Sequence, residues 1–180
     1  MIITISGLPG SGKTTVAEIL KGQLGIRYIS TGHIFREKAK QANMSLSDFS
    51  KLAEQNPEID QEIDAAQKEI LLHDNVILEG RLAGWIAYKN KLPSLKVWLE
   101  CDPEVRIRRI VDREGDTFEK KRNETGKREK SEKERYQKMY NIELTNTDIY
   151  DIVINTANQK PSEIARVVMD ALDRHNIWHR

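Results

Sequence analysis

A phosphate-binding motif opens the sequence at residues 7–14. Its letters, GLPGSGKT, fit the P-loop pattern G-x-x-x-x-G-K-[ST] at every fixed position. Glycines permit backbone conformations that turn successive N–H groups toward phosphate oxygens, and Lys13 is expected to contact the β- and γ-phosphates. The Thr14 hydroxyl is a candidate ligand for Mg²⁺, and the helix that begins here favours the same anion. The residues predicted to bind ATP are Gly7, Leu8, Pro9, Gly10, Ser11, Gly12, Lys13, Thr14 and Thr15.

The competing interpretation of this motif is an ordinary glycine-rich turn between a strand and a helix. β-Branched residues precede the motif, as expected of a buried strand. The apolar residues that follow it recur at helical spacing, and they are Val16, Ala17, Ile19, Leu20 and Leu24. A P-loop requires this strand–loop–helix context, so nucleotide binding is the favoured interpretation.

Two further arginines follow predicted strands, where open α/β sheets present ligands at their carboxyl ends. Arg36 ends the segment STGHIFR at residues 30–36, in which Thr31 is the predicted helix N-cap. Arg81 follows Glu79 and a glycine directly after the third strand. A guanidinium binds phosphate through two N–H groups and stays charged, so both arginines are candidates for a second phosphate. The alternative is that these residues are surface charges or pack between helices.

A later segment, residues 106–138, carries 13 basic and 8 acidic side chains on a chain whose net charge is only +1. Such a local surplus suggests a local anionic ligand more than a long nucleic-acid track. Glycines at 115 and 126 predict two helix breaks. The alternative interpretation is a solvated helix held by ion pairs between turns. Two sets of residues share one helical spacing, and they are Arg106, Arg109 and Arg113, then Arg128, Ser131 and Arg135. A solvated helix has no need of arginine over lysine at matched positions, so the arginines favour ligand binding.

Five short segments rich in β-branched residues predict strands near residues 2–6, 27–30, 75–79, 95–99 and 151–155. Helical periodicity separates them, which indicates an α/β fold with a parallel sheet and crossover helices. Two crossovers are much longer than the geometry requires, over residues 31–74 and 103–150. The pair Asn56-Pro57 divides the first of them into two helical runs.

Composition sets limits on the setting and the partners. The 180 residues suit one compact domain, and the single cysteine, Cys101, excludes an internal disulfide. The first residues lack the features of a signal peptide, and no run reaches the ~20 apolar residues of a membrane span. We therefore expect a cytoplasmic protein with no membrane partner and no stable nucleic-acid partner, and a monomer is the working expectation. His175 and His179 have a metal-like spacing but no third ligand nearby, so we expect a packing role.

The segment at residues 30–36 makes the chain resemble the nucleoside-monophosphate kinase family. Members of that family carry an S-T-G-x-x-[FL]-R segment after the second strand. The run EGRLAG at residues 79–84 looks most like the D/E-G-R element of archaeal-type cytidylate kinases. The resemblance implies a P-loop three-layer α/β fold with a five-stranded parallel sheet in the order 2-3-1-4-5. It implies one domain, 1–180, with a core of 1–30, 75–105 and 148–180. An NMP-binding insertion would span 31–74, and a lid region 106–147.

The resemblance also implies transfer of the γ-phosphoryl group of ATP to a nucleoside monophosphate, CMP or dCMP above others. The implied NMP-binding residues are Thr31, Arg36, Gly80 and Arg81. Mg²⁺ would be held by Thr14, and by Glu79 through a water. Arg109 is the candidate to stack on the donor base. The implied catalytic set is Lys13, Arg109, Arg113, Arg128 and Arg135.

Several alternatives stay open at this point. The acceptor is also compatible with AMP, UMP or the hydroxyl group of another small molecule, and the basic segment with a nucleotide-dependent RNA- or DNA-processing module. His33 stands where many relatives have an acidic residue, and it receives no role. The side chains that would read the acceptor base are also undecided, with four candidates: Ser45, Asp60, Asp64 and Gln67.

Overall fold

A parallel five-stranded sheet forms the centre of the computed structural model, which describes residues 1–73 and 75–174. The strand order is β2-β3-β1-β4-β5, and every neighbouring pair is parallel. This confirms the predicted fold class, the strand order and all five strand positions. The strands are β1 (Ile2–Gly7), β2 (Arg27–Ser30), β3 (Val76–Glu79), β4 (Leu95–Glu100) and β5 (Ile152–Asn155).

Eight helices occupy the described residues and cover both faces of the sheet. They are α1 (Lys13–Leu24), α2 (Thr31–Gln41), α3 (Leu46–Gln55), α4 (Glu58–His73), α5 (Ala83–Lys89), α6 (Pro103–Glu114), α7 (Phe118–Tyr140) and α8 (Pro161–Arg174). The described helices include none that is long and apolar enough to cross a membrane. His175, Trp178 and His179 lie outside the described residues.

The main core lies where α1 and α8 cover one face of the sheet. Ile3, Ile5 and Val97 point from the strands into it and are fully buried, against Leu20 of α1 and Leu172 of α8. A second apolar cluster on the other face surrounds the indoles of Trp85 and Trp98. Burial on both faces explains why Val76, Ile77 and Leu78 form a continuous apolar run in β3.

The first long crossover contains three helices, and its internal break is where the sequence predicts it. Helix α3 ends at Gln55 and α4 begins at Glu58, so Asn56 and Pro57 form the connection. The prediction that Thr31 caps α2 is wrong. Ser30 is the N-cap, and its hydroxyl accepts a hydrogen bond from the backbone N–H of His33 at 3.3 Å. The adjacent hydroxyls of Ser30 and Thr31 make the cap ambiguous in the sequence.

The second long crossover contains two helices, and only one of its two predicted breaks exists. Helix α6 ends at Gly115, as predicted. The break predicted at Gly126 is wrong, because α7 runs without interruption for 23 residues, from Phe118 to Tyr140. One glycine costs a helix only about 1 kcal/mol, which flanking lysine, arginine and glutamate residues of good helix propensity offset.

Replacing Gly126 by alanine is expected to stabilise the protein by about 0.5–1 kcal/mol, because alanine has the higher helix propensity. A methyl group at this position would meet no atom within 4 Å. The free energy of unfolding in urea measures the effect. In the contrasting variant Gly84→Ala the new Cβ would lie 2.4 Å from Cε1 of Tyr150, so that variant should be destabilised. A destabilised Gly126→Ala protein would contradict a continuous α7.

Candidate active site

The P-loop joins β1 to α1 through a backbone that only glycine adopts easily. Gly10 and Gly12 have φ values of 78° and 92°, in the left-handed region. A Cβ on Gly10 would lie 2.4 Å from the carbonyl oxygen of Arg106, so α6 packs directly on the loop. The loop therefore has the tight curvature that lets backbone N–H groups converge on an anion at the start of α1.

Lys13 is the first residue of α1, and its ammonium group is folded back over the loop. Its Nζ donates a hydrogen bond to the carbonyl oxygen of Leu8 at 2.9 Å, and the side chain is buried. Burial and the positive charge of Arg81 lower the pKa of Lys13 to about 7. In the protein without ligand, the loop thus holds a lysine whose charge is costly and would be stabilised by an anion.

Thr14 and Glu79 meet beside the P-loop, at the carboxyl end of β3. The Thr14 hydroxyl donates to Oε2 of Glu79 at 3.2 Å, and the phenol of Tyr28 donates to the same oxygen at 2.7 Å. A hydroxyl and a carboxylate are the hard oxygen donors that suit Mg²⁺, which also keeps waters and phosphate oxygens as ligands. In the part of the chain that the structure describes, no cluster of three or more acidic, histidine or cysteine side chains could hold a metal ion by itself.

One cleft brings most of the predicted site residues together, and we name it the P-loop cleft. The P-loop and the start of α1 form one wall of it. The carboxyl ends of β2 and β3 form another, with side chains from α2, α6 and α7 around the rim. The predicted residues that line it are Pro9, Gly10, Gly12, Lys13, Thr14, Thr15, Arg36, Glu79, Arg81, Arg113 and Arg128.

A carboxylate that the sequence did not single out, Glu132 of α7, links two of these arginines. One of its oxygens accepts from Nε of Arg81, and the other accepts from Nε of Arg128 at 2.9 Å. Burial alone would raise the pKa of Glu132, but the charges of Arg81 and Arg128 outweigh burial and hold the pKa below the usual 4.5. This buried bridge fastens α7 to the end of β3.

Arg109 lies behind the P-loop, near the connection from β5 to α8. Its Nη2 donates to the carbonyl oxygen of Thr156 at 2.6 Å, and its Nη1 to the Thr156 hydroxyl at 3.1 Å. That hydroxyl in turn donates to the carbonyl oxygen of Ser11 at 2.9 Å. Arg109 therefore ties α6, the P-loop and the chain after β5 together. Its stacking on a donor base stays a prediction.

Arg135 does not line the P-loop cleft but lies in a second cleft, between α4 and α7, which Arg128 also lines. Its Nε donates to Oδ2 of Asp60 at 2.7 Å, in an ion pair whose two side chains are 9% and 5% exposed. Thr31 and Gly80 line this α4–α7 cleft, and Arg81 reaches it from the P-loop cleft. The two clefts are thus neighbours with Arg81 between them.

The remaining sequence candidates divide by burial. Ser45 is exposed and caps α3, where its hydroxyl accepts from the backbone N–H of Asp48 at 3.0 Å. Asp64 and Gln67 lie instead in the α4–α7 cleft. Cys101 is a buried free thiol that directly follows β4.

Comparison with known proteins shows the family of this chain. The family model described as "Cytidylate kinase-like family" matches residues 2–158. The chain belongs to the cytidylate kinase-like family. A cytidylate kinase from Archaeoglobus fulgidus is 46% identical over 174 residues, which cover 96% of this chain and 95% of that protein. One from Methanocaldococcus jannaschii is 45% identical and covers 96% and 98%. The family resemblance that the motifs predicted is therefore confirmed.

Solved structures of more distant proteins share the fold of this family member. A shikimate kinase from Bacteroides thetaiotaomicron has a TM-score of 0.63 at 14% identity, covering 96% of this chain and 98% of its own. A gluconokinase from Sinorhizobium meliloti has a TM-score of 0.63 at 17% identity, covering 96% and 91%. At these identities the similarity establishes the architecture alone.

Removing the Glu132 carboxylate is expected to be costly, because two guanidinium groups then lose their shared partner. Glu132→Ala should lower the free energy of unfolding in urea by about 3–5 kcal/mol, the usual cost of breaking a buried ion pair. Glu134→Ala is the control on the same helix. Glu134 is 67% exposed and pairs only loosely with Lys130, at 3.9 Å, so its loss should change little.

The pH dependence of this effect is a second readout. Because the folded-state pKa of Glu132 lies below 4.5, its stabilisation is present above that pH and is lost as pH falls through the lowered pKa. The difference in stability between the wild type and Glu132→Gln should shrink over that acidic range. A difference independent of pH would contradict the bridge.

Proposed function

We propose that this chain is a cytidylate kinase, which transfers the γ-phosphoryl group of ATP to CMP or dCMP. The observation that carries the proposal is that a P-loop and two candidate phosphate-binding arginines, Arg36 and Arg81, line one cleft. The archaeal relatives named cytidylate kinase, 44–46% identical over nearly the whole chain, support the same reaction.

In the proposed mechanism, the P-loop and Lys13 bind the polyphosphate of ATP, and Arg36 and Arg81 bind the phosphate of the acceptor. An oxygen of the acceptor phosphate attacks the γ-phosphorus in line, the bond to the β,γ-bridging oxygen breaks, and ADP leaves. Arg113 and Arg128 line the same cleft, and each is paired with a glutamate, Glu114 and Glu132 respectively. Their remaining N–H groups would donate to the oxygens of the transferring group. Positioning and charge supply the catalysis, so no protein nucleophile is required.

The lid and the metal belong to the same proposal. Thr14 would hold Mg²⁺ directly, and Glu79 would hold it through a water. When bound, the ion would neutralise charge on the β- and γ-phosphates. Arg109 contributes to the donor side, since it contacts the loop after β5, and Arg135 to the acceptor side. We propose one kinase domain, with residues 31–74 as the NMP-binding insertion and 106–147 as the lid. We further propose that it acts as a cytoplasmic monomer.

Two other functions make different demands on the site. A kinase for a hydroxyl acceptor would need a carboxylate base beside the γ-phosphate. Glu79 lines the P-loop cleft, but its Oε2 already accepts hydrogen bonds from Thr14 and Tyr28. An RNA- or DNA-processing module would bind nucleic acid with an affinity that falls steeply as salt increases. The cluster of arginines around a single P-loop cleft favours a small acceptor that carries phosphate.

The decisive experiment measures ADP formation with CMP, dCMP, UMP, AMP and GMP as acceptors, and identifies the diphosphate product by chromatography. CMP and dCMP should give the highest kcat/KM. Arg36→Met should raise the KM for CMP about 10–100-fold, because a charged hydrogen bond to phosphate is lost. The control is Lys40→Met, an exposed cation on the same helix. Absence of ADP with every monophosphate, or tight RNA binding that salt abolishes, would refute the proposal.

Binding of ATP is expected to be coupled to proton uptake. Because the pKa of Lys13 is lowered to about 7, the side chain is mostly neutral at pH 8 in the free protein and becomes charged against the polyphosphate. Apparent ATP affinity should therefore weaken as pH rises above about 7. Calorimetry at pH 8 in buffers of different ionisation enthalpy should show uptake approaching about one proton.

The matched variants for this measurement both lie on α1. Lys13→Met should lose the proton uptake, whereas Lys21→Met, which removes an exposed lysine, should retain it. Equal proton uptake by the wild type and Lys13→Met would contradict the assignment of the proton to Lys13.

A further inference from the structure

Helix α4 presents three polar side chains to the α4–α7 cleft at one-turn spacing, and they are Asp60, Asp64 and Gln67. The two carboxyl groups have different partners. Asp60 is paired with the guanidinium of Arg135 at 2.7 Å. Asp64 accepts from two neutral groups, the Gln67 amide at 2.9 Å and the Tyr140 hydroxyl at 2.7 Å. The charge of Asp60 is therefore balanced by a guanidinium in direct contact, whereas the groups that donate to Asp64 are neutral.

Hydrogen bonds fix the orientation of the Gln67 amide and of the Asp64 carboxylate. The Thr31 hydroxyl donates to Oε1 of Gln67 at 2.8 Å, so the NH₂ group of that amide faces Asp64. The phenol of Tyr140 approaches the other carboxylate oxygen. An ionised carboxylate offers about four lone-pair sites, and these two donors occupy only two of them. Asp64 is held in place as an acceptor that can take a further donor.

Asp64 also lies where the polar cleft meets an apolar groove. The groove has a volume of about 400 Å³. Its lining is apolar at Leu82, Trp85 and Ile86, and polar side chains complete it beside Asp64, namely Gln61, Lys68, Lys89 and Asn90. Leu82 directly follows Arg81, so this wall begins beside the proposed phosphate-binding arginine. A pyrimidine base has apolar faces and a polar edge, and an apolar wall next to a carboxylate fixed by two hydrogen bonds matches that pattern.

Burial makes a charge on Asp64 unfavourable in the protein alone. Partial burial, to which the nearby charge of Asp60 adds, raises the pKa of Asp64 to about 7 although the Tyr140 hydrogen bond lowers it. Ionising the group therefore costs stability in the protein alone. A donor that arrives with a ligand would reduce that cost.

We infer that Asp64, held by Gln67 and Tyr140, is the specificity-determining residue that accepts a hydrogen bond from the exocyclic amino group of cytosine. This inference rests on the proposed function. Cytosine presents an NH₂ donor at C4, whereas uracil presents a carbonyl oxygen there. The ionised carboxylate, which is the main form of Asp64 in an assay at pH 8, bonds the first and repels the second, so Asp64 then selects CMP and dCMP over UMP.

The test compares kcat/KM for CMP and UMP in the wild type and in Asp64→Asn, whose amide can donate to the uracil oxygen. The CMP:UMP ratio should fall about 10–100-fold, as expected when one charged hydrogen bond is lost and a repulsion is removed. Glu62→Gln is the matched control, because Glu62 lies on the same helix but is 67% exposed and pairs with Lys38. Its ratio should equal that of the wild type. A parallel loss for both acceptors in Asp64→Asn would overturn the inference and assign Asp64 a structural role.

A second measurement needs no variant and applies even if Asp64→Asn does not fold. The wild type is assayed with the CMP analogue whose base is pyrimidin-2-one, which lacks the amino group but keeps the ring, sugar and phosphate. Its kcat/KM should be about 10–100-fold below that of CMP. Equal use of CMP and the analogue, with normal CMP kinase activity, overturns this inference alone. Failure of the wild type to phosphorylate any monophosphate overturns the proposed function as well, so the two failures are distinguishable.

Discussion

Repulsion among cations is the constraint on which the rest of the site depends. Lys13, Arg81 and Arg128 line a single P-loop cleft, and buried like charges are unfavourable without compensation. Two features reduce this unfavourable electrostatic energy. Glu132 shares its carboxylate between the two arginines, and the pKa of Lys13 is lowered. The concentration of charge makes the cleft receptive to polyanions, and the compensating groups let the chain fold in their absence.

The sheet determines where those charges can meet. Strands β1, β2 and β3 are parallel neighbours, so the P-loop after β1, the start of α2 after Ser30, and Glu79 at the end of β3 emerge at the same edge. Close packing brings them nearer still, since a Cβ on Gly80 would lie 2.4 Å from the Thr31 hydroxyl oxygen. A glycine at this position allows α2 to begin against the end of β3. The sites proposed for ATP and for the acceptor are therefore built on the same edge of the sheet.

The sequence was sufficient for the fold and for most residues of the cleft, because strands, the P-loop and arginines after strands have local signatures. It failed where the deciding contact is distant or a local signal is weak. Glu132 bonds Arg81 across 51 residues, so no spacing reveals it among the many charges of its segment. Gly126 resembles a break, yet favourable neighbours keep the helix intact. Asp60 and Asp64 are alike in sequence, and only the pairing of one with Arg135 distinguishes them.

The uninterrupted course of α7 has a mechanical consequence. One helix carries both Glu132, which holds Arg81, and Arg135, which holds Asp60, within a single turn. A helix of 23 residues is about 35 Å long, and both anchors lie in its second half. Any movement of this half away from the body of the protein therefore displaces both ion pairs together. Because α7 is not broken at Gly126, the same movement also carries the first turns of the helix, from Phe118 onward.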